Sequence, residues 1–166
     1  DTWDQAENKR LQTEEMVALC NSILEYNPKT EIVVNDSHGK GLNLDFEKLP
    51  EPVDMIRQSP EILDQMYGID DSYDGFMFFA HAMRGVQGAL LSHVWEVHDV
   101  KINGKKLGEA GLAAYIAAHY GVPFVYASGD DAYQREIMDL SPTTEFDVVK
   151  YGMGRYVARN KHPKAA

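Results

Sequence analysis

The sequence contains a single cysteine, Cys20, among its 166 residues. One cysteine excludes a disulfide framework within the chain and suits a reducing compartment. Cys20 falls within the apolar face of a predicted helix, so we expect a core residue rather than a nucleophile. No apolar stretch approaches the roughly 20 residues that a membrane-spanning helix needs, and no signal-peptide pattern opens the sequence. We therefore expect a cytoplasmic protein without a membrane partner.

Basic residues are also scarce, because 16 Lys and Arg stand against 26 Asp and Glu, which gives a formal net charge of −10. A chain of this charge repels phosphate backbones, so we expect no nucleic-acid partner. The glycine patterns of a P-loop and of a dinucleotide-binding fingerprint are absent as well. The content of 44% apolar and 25% charged residues is that of an ordinary globular protein, and the length predicts one domain over residues 1–166.

Helical and strand patterns alternate along the sequence, which predicts an α/β fold with a mostly parallel sheet flanked by helices in three layers. The predicted helices are residues 5–26, a short helix from Ser59-Pro60-Glu61 to about residue 67, residues 109–120, and a last helix to about Leu140. The predicted strands are residues 31–35, 76–81, 90–97, 122–127 and 146–151, together with a hairpin over residues 101–107 that turns at Asn103-Gly104. Residues 162–166 are expected to be unstructured.

Three histidines each lie where a predicted strand meets a loop. They stand in Val33-Val34-Asn35-Asp36-Ser37-His38, Phe78-Phe79-Ala80-His81-Ala82 and Leu90-Leu91-Ser92-His93. A carboxylate, Glu109, opens the predicted helix over residues 109–120. Imidazole and carboxylate are ligands that zinc and similar metals prefer, and open α/β sheets place their sites at strand ends. The pattern therefore predicts a metal-dependent hydrolase.

Each of these four residues also has a purely structural explanation. His38 can be an exposed residue of a turn, and His81 can be a buried histidine with a satisfied hydrogen bond. His93 can fill a core or cross-strand position, and Glu109 can complement the dipole of the helix that it opens. Their shared position at element ends favours the functional interpretation.

Other polar residues are assigned structural roles. His98 and His119 are expected to be structural, since His119 ends a helix, where an imidazolium is favoured by the dipole. Asp130 and Asp131 are expected to cap the following helix rather than to bind a metal.

Taken together, these segments resemble the family of zinc-dependent D-aminopeptidases, the M55 metallopeptidases. The similarity runs from about Gln12 to about Asp131 and depends on the order and spacing of several short segments. They are Val34-Asn35-Asp36-Ser37-His38, Gly75-Phe76-Met77-Phe78-Phe79-Ala80-His81-Ala82, Leu91-Ser92-His93, Ile102-Asn103-Gly104, Gly108-Glu109-Ala110-Gly111-Leu112-Ala113-Ala114-Tyr115 and Ala127-Ser128-Gly129-Asp130-Asp131.

The resemblance implies that His38, His81 and Glu109 are metal ligands and that His93 has a catalytic role near the metals. It implies zinc as the cofactor, short peptides as substrates that lose N-terminal D-amino acids to a zinc-activated water, and assembly into a homodecamer. The family opens with an Asp-x-Glu-Gly element that this sequence does not contain. The resemblance therefore implies a partial domain, which lacks this element and the C-terminal part, and two zinc ions per site where the missing carboxylates are present.

Two other functions remain compatible with the residues. The first is a metal-dependent hydrolase of a phosphoester or of a non-peptide amide, although Arg84 is the only arginine near the histidines in the sequence. The second is a non-catalytic subunit of the same fold, which the missing Asp-x-Glu-Gly element favours.

Overall fold

A computed structural model describes residues 5–57, 64–95 and 97–166. The chain divides into two units, Asp1–Gly68 and Ile69–Ala166, which are taken here one at a time. The single domain over residues 1–166 stays a prediction. Within the described ranges, no helix is both long enough and apolar enough to cross a membrane.

The first unit pairs a long helix with a small parallel sheet. Helix α1 spans Gln5–Tyr26, as predicted, and strands β1 (Ile32–Asp36) and β2 (Val53–Arg57) run parallel, with Ile32 opposite Val53. Cys20 is 1% exposed in the core of this unit, where burial raises the pKa of its thiol. The other buried residues of that core are Val34, Leu44, Leu49 and Val53. The expectation that Cys20 is a core residue is confirmed.

The first unit differs from the sequence-based predictions at one strand, and one predicted helix lies partly outside the described residues. Strand β1 alternates in exposure, with Val34 buried and Val33 exposed, because successive side chains point to opposite sides. Strand β2 was not predicted, since two charged residues interrupt its short apolar run directly after Pro52. The helix predicted to begin at Ser59-Pro60-Glu61 lies partly outside the described residues, and only a 3₁₀ turn over Asp64–Met66 is described.

The second unit contains a four-stranded sheet, a hairpin and two helices. Their bounds in chain order are β3 Phe76–Phe79, β4 Val100–Ile102, β5 Lys105–Leu107, α2 Glu109–His119, β6 Phe124–Asp130, α3 Asp131–Leu140, β7 Glu145–Gly154 and β8 Val157–Asn160. The sheet has the order β3-β6-β7-β8, in which β3, β6 and β7 are parallel and β8 is antiparallel. An α/β fold with mostly parallel pairing is confirmed, and the three-layer arrangement stays a prediction.

The local predictions that depend on turn and cap chemistry are confirmed in this unit. Asn103 and Gly104 have φ angles of 51° and 80°, as a type I′ hairpin turn between β4 and β5 requires. The Asp130 side chain accepts a hydrogen bond from the Tyr133 amide and caps α3.

The strand predicted over residues 90–97 is wrong. In the described part of this segment, Val94 forms an isolated bridge, and Leu91 and Trp95 have positive φ angles of 51° and 39°. Two left-handed residues break an extended run. The segment is apolar because Val94 is buried within a loop, and not because it is a strand.

The C-terminal end is more regular than predicted. Strand β8 pairs with β7, and Pro163–Ala165 form a 3₁₀ turn that the His162 side chain caps by accepting from the Lys164 amide. The expectation of an unstructured tail over residues 162–166 is therefore wrong.

Candidate metal centre

Three of the four predicted site residues meet in the second unit. His81 follows β3, His93 lies in the loop after it, and Glu109 is the first residue of α2. One ligand atom from each residue lies within 4.8 Å of the other two. The two imidazole rings stack with their centroids 4.1 Å apart and their planes at 26°. Residues 81, 93 and 109 therefore form one compact cluster of possible metal donors.

Backbone carbonyls define which nitrogen of each imidazole is protonated. His81 Nδ1 lies 3.1 Å from the Ala82 carbonyl oxygen, and His93 Nδ1 lies 2.6 Å from that of Leu91. A carbonyl can only accept a hydrogen bond, so each Nδ1 is the donor. In the neutral form of each ring the lone pair is then on Nε2, and this is the arrangement found in metal-binding histidines whose other nitrogen is held by a carbonyl.

The carboxylate of Glu109 is buried and held by the loop that carries His93. Its side chain is 7% exposed, and Oε1 accepts a hydrogen bond of 2.9 Å from the Trp95 amide. Its position in the first turn of α2 also matches the structural explanation, in which the acid complements the helix dipole. The two explanations are compatible, because a carboxylate near a helix N-terminus can still offer an oxygen to a metal.

The surroundings of His81 favour its neutral form. Burial lowers its pKa most strongly, and the hydrogen bond to the Ala82 carbonyl opposes this. The electrostatic interaction with His93 lowers the pKa further, whereas those with Glu109 and Asp130 raise it. The net direction is downward. Since only neutral imidazole binds a metal, a lowered pKa favours ligation at neutral pH.

A buried aspartate fastens the His93 loop to the end of β6. Asp130 is 2% exposed, and its Oδ2 accepts a hydrogen bond of 2.7 Å from the Leu90 amide. Its Oδ1 accepts one of 2.7 Å from the Tyr133 amide at the start of α3. The cap was predicted from the sequence, but the bond to Leu90 was not, because no local pattern indicates a contact across 40 residues.

The turn between β7 and β8 supports the same loop from another direction. The Arg155 carbonyl accepts from the Leu91 amide at 2.9 Å, and its guanidinium donates to the Ser92 carbonyl at 3.3 Å. A Cβ added at Gly152 would lie 2.0 Å from the Gly88 carbonyl oxygen, so only glycine allows this approach. These contacts offset the strain of the left-handed Leu91, which costs about 1 kcal/mol or more. Sequence reasoning missed Arg155.

His38 belongs to the first unit, where it follows β1. Its side chain is exposed. Its carbonyl accepts hydrogen bonds from the Gly41 amide at 3.1 Å and from Asn43 Nδ2 at 2.7 Å. Buried Asp36 holds the other end of this turn by accepting from the Asn43 amide at 2.8 Å and the Leu44 amide at 2.9 Å. The main chain at His38 is thus well fixed, and its role as a metal ligand stays a prediction.

The comparison with family models decides the family. The model described as D-aminopeptidase (Peptidase_M55) matches residues 2–166. The chain belongs to the M55 D-aminopeptidase family. The family resemblance seen in the sequence is thereby confirmed.

A sequence match and a structural match from Bacillus subtilis add detail to this assignment. A D-aminopeptidase of strain 168 is 34% identical over 139 residues, which is 82% of this chain and 51% of that protein. A solved structure, described as a zinc-dependent D-aminopeptidase and a self-compartmentalizing protease, has a TM-score of 0.89 at 30% identity and covers 98% of this chain. This M55 chain spans 60% of that structure, so it corresponds to little more than half of the relatives that it matches.

We predict that Asp130→Asn lowers the free energy of unfolding by about 1–3 kcal/mol, the cost of a buried donor that loses its acceptor. The amide retains one oxygen for the cap, but its NH₂ group replaces the oxygen that accepts from Leu90. Urea unfolding followed by circular dichroism measures the change. Asp71→Asn is the control, because it removes the same charge from an exposed loop position. Equal stability of the two variants would contradict the anchoring role of Asp130.

Proposed function

We propose that this M55 chain is a zinc-dependent aminopeptidase that removes N-terminal D-amino acids from short peptides. The observation that carries the proposal is the cluster of two imidazole nitrogens and one buried carboxylate at residues 81, 93 and 109, with ligand atoms within 4.8 Å of one another. Family membership supports the peptidase activity and the choice of zinc, since the similar solved structure is described as zinc-dependent.

His81 and Glu109 act as metal ligands in this proposal, and the family resemblance adds His38. Neutral Nε2 and a buried carboxylate oxygen form a donor set that suits zinc. When bound, zinc lowers the pKa of a coordinated water toward about 7 and polarises the scissile carbonyl. The resemblance also implies two zinc ions per site, held in part by an Asp-x-Glu-Gly element.

His93 acts as the general acid and base. Its Nδ1 is held by the Leu91 carbonyl at 2.6 Å, which leaves Nε2 as the atom that exchanges protons. Nε2 takes a proton from the attacking water and delivers it to the leaving amine, so the amide nitrogen departs as a neutral group. The stacked His81 ring, 4.1 Å away, limits the orientations that the His93 ring can adopt.

We predict that His81→Ala and Glu109→Gln each abolish stoichiometric zinc binding, because each removes a donor from the cluster. His38→Ala is expected to weaken it, because the family resemblance implies that His38 is a further ligand. Elemental analysis of the dialysed chain, with an intact mass on the same sample, gives the number of zinc ions per chain. His119→Ala is the matched control, since His119 is an exposed histidine at the end of α2.

Full zinc content in His81→Ala and in Glu109→Gln would overturn the proposed centre. Loss of zinc in these two variants with full content in His38→Ala would remove only His38 from the ligand set. A chain that binds no zinc would favour the non-catalytic subunit instead.

We predict that the zinc-loaded chain cleaves a D-alanyl dipeptide faster than its L-enantiomer, and that a chelator abolishes and zinc restores the cleavage. His93→Ala is expected to keep its zinc and to lose about 10²–10⁴-fold in kcat, the usual contribution of general acid–base catalysis. Amine release from both peptides, and phosphate release from a phosphoester, are measured for the unaltered chain and for His93→Ala.

The two outcomes of this assay separate the rival explanations. Loss of zinc in His93→Ala would make His93 a third ligand rather than an acid–base group. Cleavage of the phosphoester with no cleavage of either peptide would replace the peptidase by a hydrolase of another substrate class.

We also propose that the chain forms a homo-oligomer, and the family resemblance implies a decamer. The similar solved structure is described as self-compartmentalizing, which supports assembly of identical subunits around enclosed sites. Size-exclusion chromatography with light scattering is expected to give about ten times the chain mass of 18.7 kDa. A mass equal to one chain at micromolar concentration would contradict the assembly. The cytoplasmic location stays a prediction.

A further inference from the structure

Glu136 was not among the predicted site residues, yet its carboxylate binds the two chain segments that carry the metal donors. Oε2 accepts a hydrogen bond of 2.7 Å from the Met83 amide, two residues after His81. The same carboxylate accepts from the Gly108 amide, the residue directly before Glu109. One side chain on α3 therefore connects the loop after β3 with the N-terminus of α2.

Glycine at position 108 is required by space rather than by backbone conformation. Its φ angle is −88°, which any residue can adopt. A Cβ added there would lie 2.6 Å from Glu136 Oε1 and 3.0 Å from the Met83 Cβ. The absence of a side chain thus allows the amide of Gly108, the carboxylate of Glu136 and the Met83 backbone to meet.

A glutamate suits this position better than a glutamine does. Two backbone donors need two acceptor oxygens, and a carboxylate provides both, whereas an amide provides one. Burial of the side chain raises the pKa of Glu136, and the hydrogen bonds from Met83 and Gly108 oppose this. Glu136 lies 53 positions after Met83 and 28 positions after Gly108. Its partly buried carboxylate therefore connects two distant segments that carry the site.

We infer that Glu136 is a positioning residue, whose carboxylate sets the spacing between His81 and Glu109 and thereby the metal affinity of the cluster. The inference rests on the proposed function, because it assumes that these two residues bind zinc. Partners that orient metal ligands typically change metal affinity by about 10–100-fold when they are replaced.

The test compares Glu136→Gln with Asp139→Asn. Both variants remove one negative charge from α3, but Asp139 is exposed and pairs with Lys105 at 2.9 Å, away from the two amides. Zinc affinity is measured by competition with a chromophoric chelator, and coordination is followed by the visible spectrum of the Co²⁺-loaded chain. Glu136→Gln is expected to weaken zinc by about 10–100-fold and to shift the Co²⁺ bands. Asp139→Asn is expected to leave both unchanged.

Gly108→Ala serves as a second variant with an intact carboxylate. Its Cβ displaces Oε1 and presses on Met83, so we expect weaker zinc binding of the same order. Because both substitutions break the same contact, the double variant is expected to lose less affinity than the sum of the two single losses. This variant keeps the inference testable should Glu136→Gln fail to fold.

The outcomes distinguish the two claims. Unchanged zinc affinity and Co²⁺ spectra in folded Glu136→Gln or in folded Gly108→Ala would overturn the positioning role and leave the proposed function intact. A lowered unfolding temperature with an unchanged Co²⁺ spectrum would likewise overturn it, since it would reduce Glu136 to a stabilising residue. An unaltered chain that binds no zinc would overturn both the positioning role of Glu136 and the proposed function.

Discussion

The structure of the second unit depends on backbone amides that are held by two carboxylates of α3, a buried one at its start and a partly buried one along it. Asp130 accepts the Leu90 amide, and Glu136 accepts the amides of Met83 and Gly108. These acceptors fasten three stretches of irregular chain that no strand pairing would hold. An unpaired buried amide costs about 1–3 kcal/mol, so each of these acceptors stabilises the loop that it holds. The imidazoles and the carboxylate of the candidate centre are carried by those stretches.

The same arrangement keeps the cluster suited to a cation. Two histidines and an acid are brought together, and burial lowers the pKa of His81. Each Nδ1 lies beside a carbonyl of its own loop, which leaves Nε2 as the atom that each ring can offer to a metal or to a proton. An imidazole nitrogen and a carboxylate oxygen are donors that suit a divalent metal such as zinc. The fixed main chain on both sides of His93, with positive φ angles at Leu91 and Trp95, keeps this geometry from relaxing.

Much of the local structure was predictable because its causes are local. Helix α1 follows from its apolar spacing and from Asn27-Pro28 after it, and the hairpin follows from Asn103-Gly104. The segment over residues 90–97 was mispredicted because its apolar residues are buried by other parts of the unit, and burial in a loop gives the same composition as burial in a strand. Strand β2 was missed because two of its five residues are charged, so its sequence lacks the apolar run that indicates a buried strand.

The sequence by itself determined the family, the α/β class and the candidates His38, His81, His93 and Glu109, because motif order and residue chemistry are written along the chain. Only the tertiary structure decided that residues 81, 93 and 109 meet within 4.8 Å, that the Nδ1 of each ring in this cluster faces a backbone carbonyl, and that Asp130, Glu136 and Arg155 hold the loops around them. Those contacts join residues up to 64 positions apart, as the hydrogen bond between Leu91 and Arg155 shows. Hydrogen bonds over such separations depend on how strands and helices pack, and no local pattern of residues specifies them.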